Sequence, residues 1–168
     1  MPSEDLKLLW RNHLSKPLDD YLRTVELECE RQGLEQSYVL AIVAKESSGN
    51  RWATRYEPGW SYFENPAYWA NRLGQSEETE INGQKISWGL MQVMGGTARW
   101  LGFAGYLPEL CVPDVGVHYG CMLLARKLRK YGNYPAAIAA YNAGSVVMIN
   151  NKFSNQSYVD DVLRIRKE

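Results

Sequence analysis

Apolar residues recur along this chain at helical spacing, in runs punctuated by Gly, Pro and Asn. Leu6, Leu9, Trp10 and Leu14 fall three and four apart, which predicts a short first helix. Pro17 opens a second, with Leu18, Tyr21, Leu22, Val25 and Cys29 on its stripe and Gly33 as its stop. Ser37 can cap a third helix from Tyr38 to about Ser48, apolar on most faces as a central helix is, with Gly49 ending it. Asn65-Pro66 starts a short helix closed by Gly74. Gly95-Gly96 reads as a break, after which Thr97 caps a helix through Leu101. Pro113-Asp114 opens a long helix carrying Val117, Cys121, Leu124 and Leu128, ended by Gly132. Tyr134 to Ala143 is alanine-rich, and a last helix from about Tyr158 to Lys167 carries Val159, Val162, Leu163 and Ile165. One place reads as strand: Glu80 to Ile86, where Asn82-Gly83 sits among alternating residues as in a two-residue hairpin. The expectation is a mostly α fold with one small β-hairpin.

Composition narrows the class. The 168 residues fit one domain, with no linker, repeat or low-complexity tract. Nineteen basic residues balance nineteen acidic ones, so no electrostatic footprint for nucleic acid appears. No apolar run approaches the roughly 18 residues of a membrane span. The first residues, M-P-S-E-D-L-K-L-L-W, lack a basic region followed by an apolar core, so no Sec-type signal peptide is expected. Cys29, Cys111 and Cys121, with His13 and His118 far apart, assemble no zinc spacing. No metal or other cofactor is expected, and free thiols are the default over a Cys111–Cys121 bridge. Tyr and Trp number eleven and six against three Phe, and residues 51–88 hold Trp52, Tyr56, Trp60, Tyr62, Phe63, Tyr68, Trp69 and Trp88. Amphipathic rings suit a surface that stacks on sugars, and they also fill cores.

The chemistry is sought where the third helix breaks. Ala41 to Asn50 reads A-I-V-A-K-E-S-S-G-N, an apolar run with Glu46 on its last turn. A carboxylate there, partly desolvated, has a raised pKa and suits proton donation near neutrality; a solvated helix-end Glu is the plainer reading. Two further segments stand beside it: Ser87-Trp88-Gly89-Leu90-Met91-Gln92-Val93-Met94 and Ala140-Tyr141-Asn142-Ala143-Gly144.

In this order, Glu46-Ser47, G-L-M-Q-V-M and A-Y-N-A-G, with Tyr158-Val159 after them, resemble the lytic transglycosylases, soluble lysozyme-like enzymes that cleave peptidoglycan. The resemblance runs from about Ser37 to Val162 and implies a lysozyme-like α-helical domain whose hairpin lines a substrate cleft. It divides the single domain 1–168 into a core over 36–166 and extra N-terminal helices over 1–35. It implies that Glu46 is the single acid/base, protonating the bond from N-acetylmuramic acid to N-acetylglucosamine and then deprotonating the muramoyl 6-hydroxyl, which leaves a 1,6-anhydro end. Under it Tyr141 hydrogen-bonds and orients Glu46. Ser47, Gln92, Met94 and Tyr158 line the substrate site, while Asn142 and Gly144 shape the turn. The chain departs from the family pattern at Arg51 after Asn50, at Gly95 after Met94, at Ser154, and in the long aromatic segment between Glu46 and Gly89.

Glu57, eleven residues past Glu46, is a possible second carboxylate that could position water and turn the outcome to hydrolysis, as in goose-type lysozymes. Otherwise it forms a local pair with Arg55 or Arg51, and Glu77, Glu78 and Glu80 form a solvated face. Three readings stay open: a lytic transglycosylase, a hydrolytic muramidase, and a relative that binds peptidoglycan without cutting it. The expected partner is the peptidoglycan glycan strand, the expected state a monomer. The expected setting is a phage or prophage type of endolysin, made in the cytoplasm and reaching the periplasmic wall through a holin or another route.

Overall fold

The computed structural model describes residues 21–167. The helix expected over Leu6–Leu14 and the start of the next at Pro17 lie outside the described residues. Helix α1 (Leu22–Gln32) buries Leu22, Val25 and Cys29, the expected stripe, and ends at Gly33 in the left-handed region. Helix α2 (Gln36–Ser47) buries every residue from Tyr38 to Ala44. It begins earlier than expected, and Ser37 lies in its first turn, where the Ser37 hydroxyl accepts from Arg166 Nε at 3.2 Å instead of capping. Its C-cap is Ser48, at φ 50°.

Strands β1 (Thr54–Tyr56), β2 (Ile86–Trp88) and β3 (Val93–Met94) make a small antiparallel sheet in that order, Thr54 opposite Trp88 and Ser87 opposite Met94. Between β1 and β2 lie α3 (Pro66–Leu73), bounded as expected by Asn65 and Gly74, and α4 (Glu77–Gln84).

Helix α4 corrects the sequence expectation of a hairpin around Asn82-Gly83. The Ser76 side chain caps the helix by accepting from Thr79 N, and three glutamates stand in the first turn, where the helix dipole favours them. Helical spacing then brings Glu80 and Gln84 onto one buried face, Gln84 Nε2 donating to Glu80 Oε1 at 2.9 Å. Arg99 completes the cluster, its Nε 2.8 Å from Glu80 Oε1 and its guanidinium 4.5 Å from the Trp69 ring centroid. Glu80 is therefore not part of a solvated face; both it and Arg99 are fully buried.

Arg99 comes from α5 (Gly95–Trp100). Gly95-Gly96 is not a break but the first turn of that helix. A Cβ at Gly95 would collide with the Gly83 carbonyl oxygen, so glycine lets α5 seat against the end of α4.

A 3-10 turn (Leu107–Cys111) leads into α6 (Pro113–Tyr131), which ends at Gly132, and then α7 (Tyr134–Ala143). A second two-stranded ribbon, β4 (Met148–Ile149) with β5 (Lys152–Phe153), precedes α8 (Gln156–Lys167). Helix α2 packs against α1 and α8, α6 against α1 and α7, and α7 against α8, around one hydrophobic core. The three cysteines are free and buried; Cys121 neighbours Cys29 rather than Cys111. No helix among the described residues is long and apolar enough to cross a membrane.

Candidate active site

Glu46 stands on the last turn of α2, where the left-handed Ser48 and Gly49 end the helix and open the surface. Its side chain is half-buried. Helix α8 buries Val159, Val162 and Ile165, and this packing turns Tyr158 toward α2. The Tyr158 hydroxyl donates to Glu46 Oε1 at 2.5 Å. One turn further along α8, Asp161 Oδ2 receives Lys45 Nζ at 2.6 Å, a second clamp between the same two helices.

The hydrogen bond expected from Tyr141 to Glu46 is thus made by Tyr158. Tyr141 is buried on α7 and donates instead to the Met91 carbonyl at 2.7 Å. It fixes the main chain of the G-L-M-Q turn, and its ring remains within electrostatic reach of Glu46.

The turn after β2 needs Gly89 at φ 72° and holds Gln92 at φ 48°, an uncommon conformation for a side-chain-bearing residue. The Gln92 amide stabilises it from within. Its Nε2 donates to the Ala53 and Gly89 carbonyls at 2.8 and 2.9 Å, and its Oε1 accepts from Ser87 Oγ at 2.9 Å. Gln92 therefore ties β1 to the β2–β3 turn. The Ser47 hydroxyl points to the Val43 and Leu90 carbonyls, at 3.1 and 2.8 Å, joining α2 to the same turn. Met94 is half-buried on β3, opposite Ser87. Asn142 Oδ1 accepts from Asn155 Nδ2 at 2.9 Å and Gly144 sits at φ 80°, both shaping the exit from α7.

Glu57 is engaged by its neighbour: Arg55 Nε lies 2.5 Å from Glu57 Oε1. Sequence reasoning passed over the charges that reach Glu46, namely Arg55 on β1 and Lys45 beside it. Burial holds the Glu46 carboxyl above its usual value, and the Tyr158 hydrogen bond, Arg55 and Lys45 pull against it. Burial also raises the Tyr158 hydroxyl well above its usual value, reinforced by the nearby Glu46 charge, so it stays a proton donor to the carboxylate. No cluster of three His, Cys, Asp or Glu side chains suited to a metal occurs among the described residues. A half-buried carboxyl whose pKa burial raises, and whose ionised form a phenol steadies, can donate and take back a proton.

The sequence profile of the Transglycosylase SLT domain matches residues 24–162. The chain belongs to that family. Membership makes this SLT domain a peptidoglycan lytic transglycosylase by class. It is 28% identical over 137 residues to Protein IpgF of Shigella sonnei and, equally, of Shigella flexneri, covering 80% of this chain and 73% of each relative. It is also similar to the solved structure of an inactive mutant of the lytic transglycosylase Slt from Pseudomonas aeruginosa. There the TM-score is 0.59 at 24% identity over 86% of this chain. The SLT domain spans 23% of that longer chain, and what the two share is the fold. The mostly helical, lysozyme-like architecture expected from the sequence is the one observed, with its sheet built from β1, β2 and β3.

Proposed function

We propose that Glu46 is the single acid/base of a lytic transglycosylase reaction on the glycan strand of peptidoglycan. In the first step the protonated Glu46 carboxyl gives its proton to the oxygen between N-acetylmuramic acid and N-acetylglucosamine, and that C–O bond breaks. In the second, the Glu46 carboxylate takes the proton of the muramoyl 6-hydroxyl, whose oxygen bonds to C1 and closes the 1,6-anhydro ring. The substrate's acetamido group assists at C1 between the two steps. One carboxyl alternating between acid and base suffices, unlike the two-carboxylate glycosidases. A group that must first hold and then release a proton is served by opposed influences, burial raising its pKa and Tyr158, Arg55 and Lys45 lowering it.

The observation that carries this reading is the Tyr158–Glu46 hydrogen bond at a half-buried helix end. The Arg55–Glu57 ion pair favours transglycosylation over hydrolysis, because the guanidinium occupies a carboxylate oxygen that would otherwise receive the water's proton. Tyr158 acts by steadying the Glu46 carboxylate, Tyr141 and Gln92 by fixing the turn opposite it, and Met94 by apolar contact with an acetamido methyl. The Glu46→Gln variant is expected to fold and to release no anhydromuropeptides from purified sacculi. Undiminished release by that variant would overturn the assignment.

A further inference from the structure

The ribbon β4–β5 is built to hold apolar side chains away from the core. Asn150 and Asn151 both take positive φ, 50° and 62°, the pattern of a two-residue primed turn that matches strand twist. Ser154 N donates to the Val147 carbonyl at 2.8 Å, closing an eight-residue finger over 147–154. Its root is fastened on three sides. Asn155 Nδ2 donates to the Ala139 carbonyl and Asn142 Oδ1, Lys127 Nζ to the Gly144 carbonyl, and Val146 N to Tyr131 Oη. Yet Val147, Met148 and Ile149 are 48%, 54% and 57% exposed. A rigid finger that keeps three aliphatic or thioether side chains in water costs solubility and gains nothing in the core.

Its position points to the occupant. The finger joins α7 to α8, and Asn155 at its root lies three residues before Tyr158, whose hydroxyl reaches Glu46. Its root is therefore anchored within one turn of α8 from the tyrosine that bonds Glu46. Sugars are gripped by aromatic faces and hydrogen bonds, which the 51–69 segment offers in exposed Trp52, Tyr56 and Tyr62. Methyl-bearing, carboxylate-bearing peptide is matched by aliphatic groups beside a cation, and Ile149 lies directly across from Lys152. Lys152 is exposed and has no ion-pair partner among the described residues. Among the described residues each strand of the ribbon pairs only with the other, leaving outer edges to which an extended peptide can add.

We infer that the 147–154 finger, through Met148, Ile149 and Lys152, recognises the peptide stem carried by the strand being cut and selects peptide-bearing over denuded glycan. This rests on the reading of the cleft as a peptidoglycan site. The test uses glycan strands from purified sacculi, intact or stripped of stems by an amidase. Binding is measured in the Glu46→Gln background and cleavage in the otherwise unaltered protein. The Met148→Ser/Ile149→Ser variant should bind intact strands about tenfold more weakly, the change that burial of two half-exposed apolar side chains supplies. Lys152→Gln should bind them about two- to fivefold more weakly, the worth of an exposed charge pairing with a stem carboxylate. Their cleavage should show a raised KM on intact strands, an unchanged kcat, and no change on stripped strands. Thermal melts should coincide, since these side chains touch no core. Equal affinity of the parent for both strands, or equal effects of the substitutions on both, would overturn the inference and leave the finger to a protein or lipid surface. If neither strand is cut but the binding difference holds, the proposed reaction fails and the finger's role stands.

Discussion

Replacing Tyr158 by Phe removes one oxygen from the site and isolates what it does for Glu46. Its hydroxyl donates to Glu46 Oε1 at 2.5 Å, and the side chain is otherwise held by packing against the core. A hydrogen bond to a charged group is worth about 1.5–3 kcal/mol. That interaction favours the ionised carboxylate, so its loss shifts the ratio of protonated to ionised Glu46 by about tenfold or more at a given pH. The sign follows from what the bond stabilises. Without it the carboxyl, already raised by burial, rises further and keeps its proton to higher pH. In Tyr158→Phe the alkaline limb of the pH–rate profile is expected to move upward, while maximal rate falls because the carboxylate that must act as base is less well oriented. Tyr141→Phe serves as the comparison. Its hydroxyl binds the Met91 carbonyl, so it should cost about 1 kcal/mol of stability and leave the limb in place. The assay is release of soluble muropeptides from sacculi across a pH series. A limb that moves in Tyr141→Phe and stays in Tyr158→Phe would refute the reasoning.

Glu46 also enters the stability of the fold. Its folded pKa lies above the unfolded one, so its contribution is fully present at acid pH and is lost as pH rises through the folded pKa. Glu46→Gln should therefore gain stability relative to the parent as pH is raised from acid to mildly alkaline, seen as a widening gap between thermal midpoints. Arg99→Met strands Glu80 as a buried, uncompensated charge and should cost about 3–5 kcal/mol in urea titration, with part of the loss recovered by adding Glu80→Gln. Gly95→Ala forces a Cβ against the Gly83 backbone, and Gly120→Ala forces one against the Cβ and Sδ of the fully buried Met91, so each should cost about 1–3 kcal/mol.

The helices bounded by Pro and Gly were legible because those residues act locally. Asn65-Pro66 and Gly74 bound α3, Pro113 and Gly132 bound α6, and the expected limits of α7, Tyr134 and Ala143, are the observed ones. The Asn82-Gly83 pair misled for the opposite reason. Its turn preference is weaker than the Ser76 cap and the buried Arg99, which lies fifteen residues beyond Gln84 and holds Glu80 and Gln84 on one helical face. Local alternation carries no trace of that distant partner. The finger was legible in principle, since V-V-M-I-N-N-K-F sets an Asn pair directly after an apolar run.

At the site, the local pattern around Glu46, a carboxylate at the end of an apolar run, reads more plainly as a solvated helix end. Its role as acid/base came from the resemblance carried by the G-L-M-Q-V-M and A-Y-N-A-G segments. The tyrosine that would bond it was not legible. Tyr141 and Tyr158 lie on different helices, and which hydroxyl reaches Glu46 depends on how α7 and α8 are rotated against α2. That rotation is set by Val159, Val162 and Ile165 meeting the core. The Gln92 amide, expected to face sugar, is drawn inward by Ala53, Ser87 and Gly89, groups brought together only once β1 pairs with β2.

The central claim is that one carboxyl serves as both acid and base and that the strand itself, not water, closes the reaction. Purified sacculi digested by the parent protein and by Glu57→Gln test it through the masses of the released muropeptides. Both digests should contain 1,6-anhydro ends, each lighter by one water than a hydrolysed end. Hydrolysed ends from the parent that vanish in Glu57→Gln would contradict the account and make Glu57 the water-activating carboxylate.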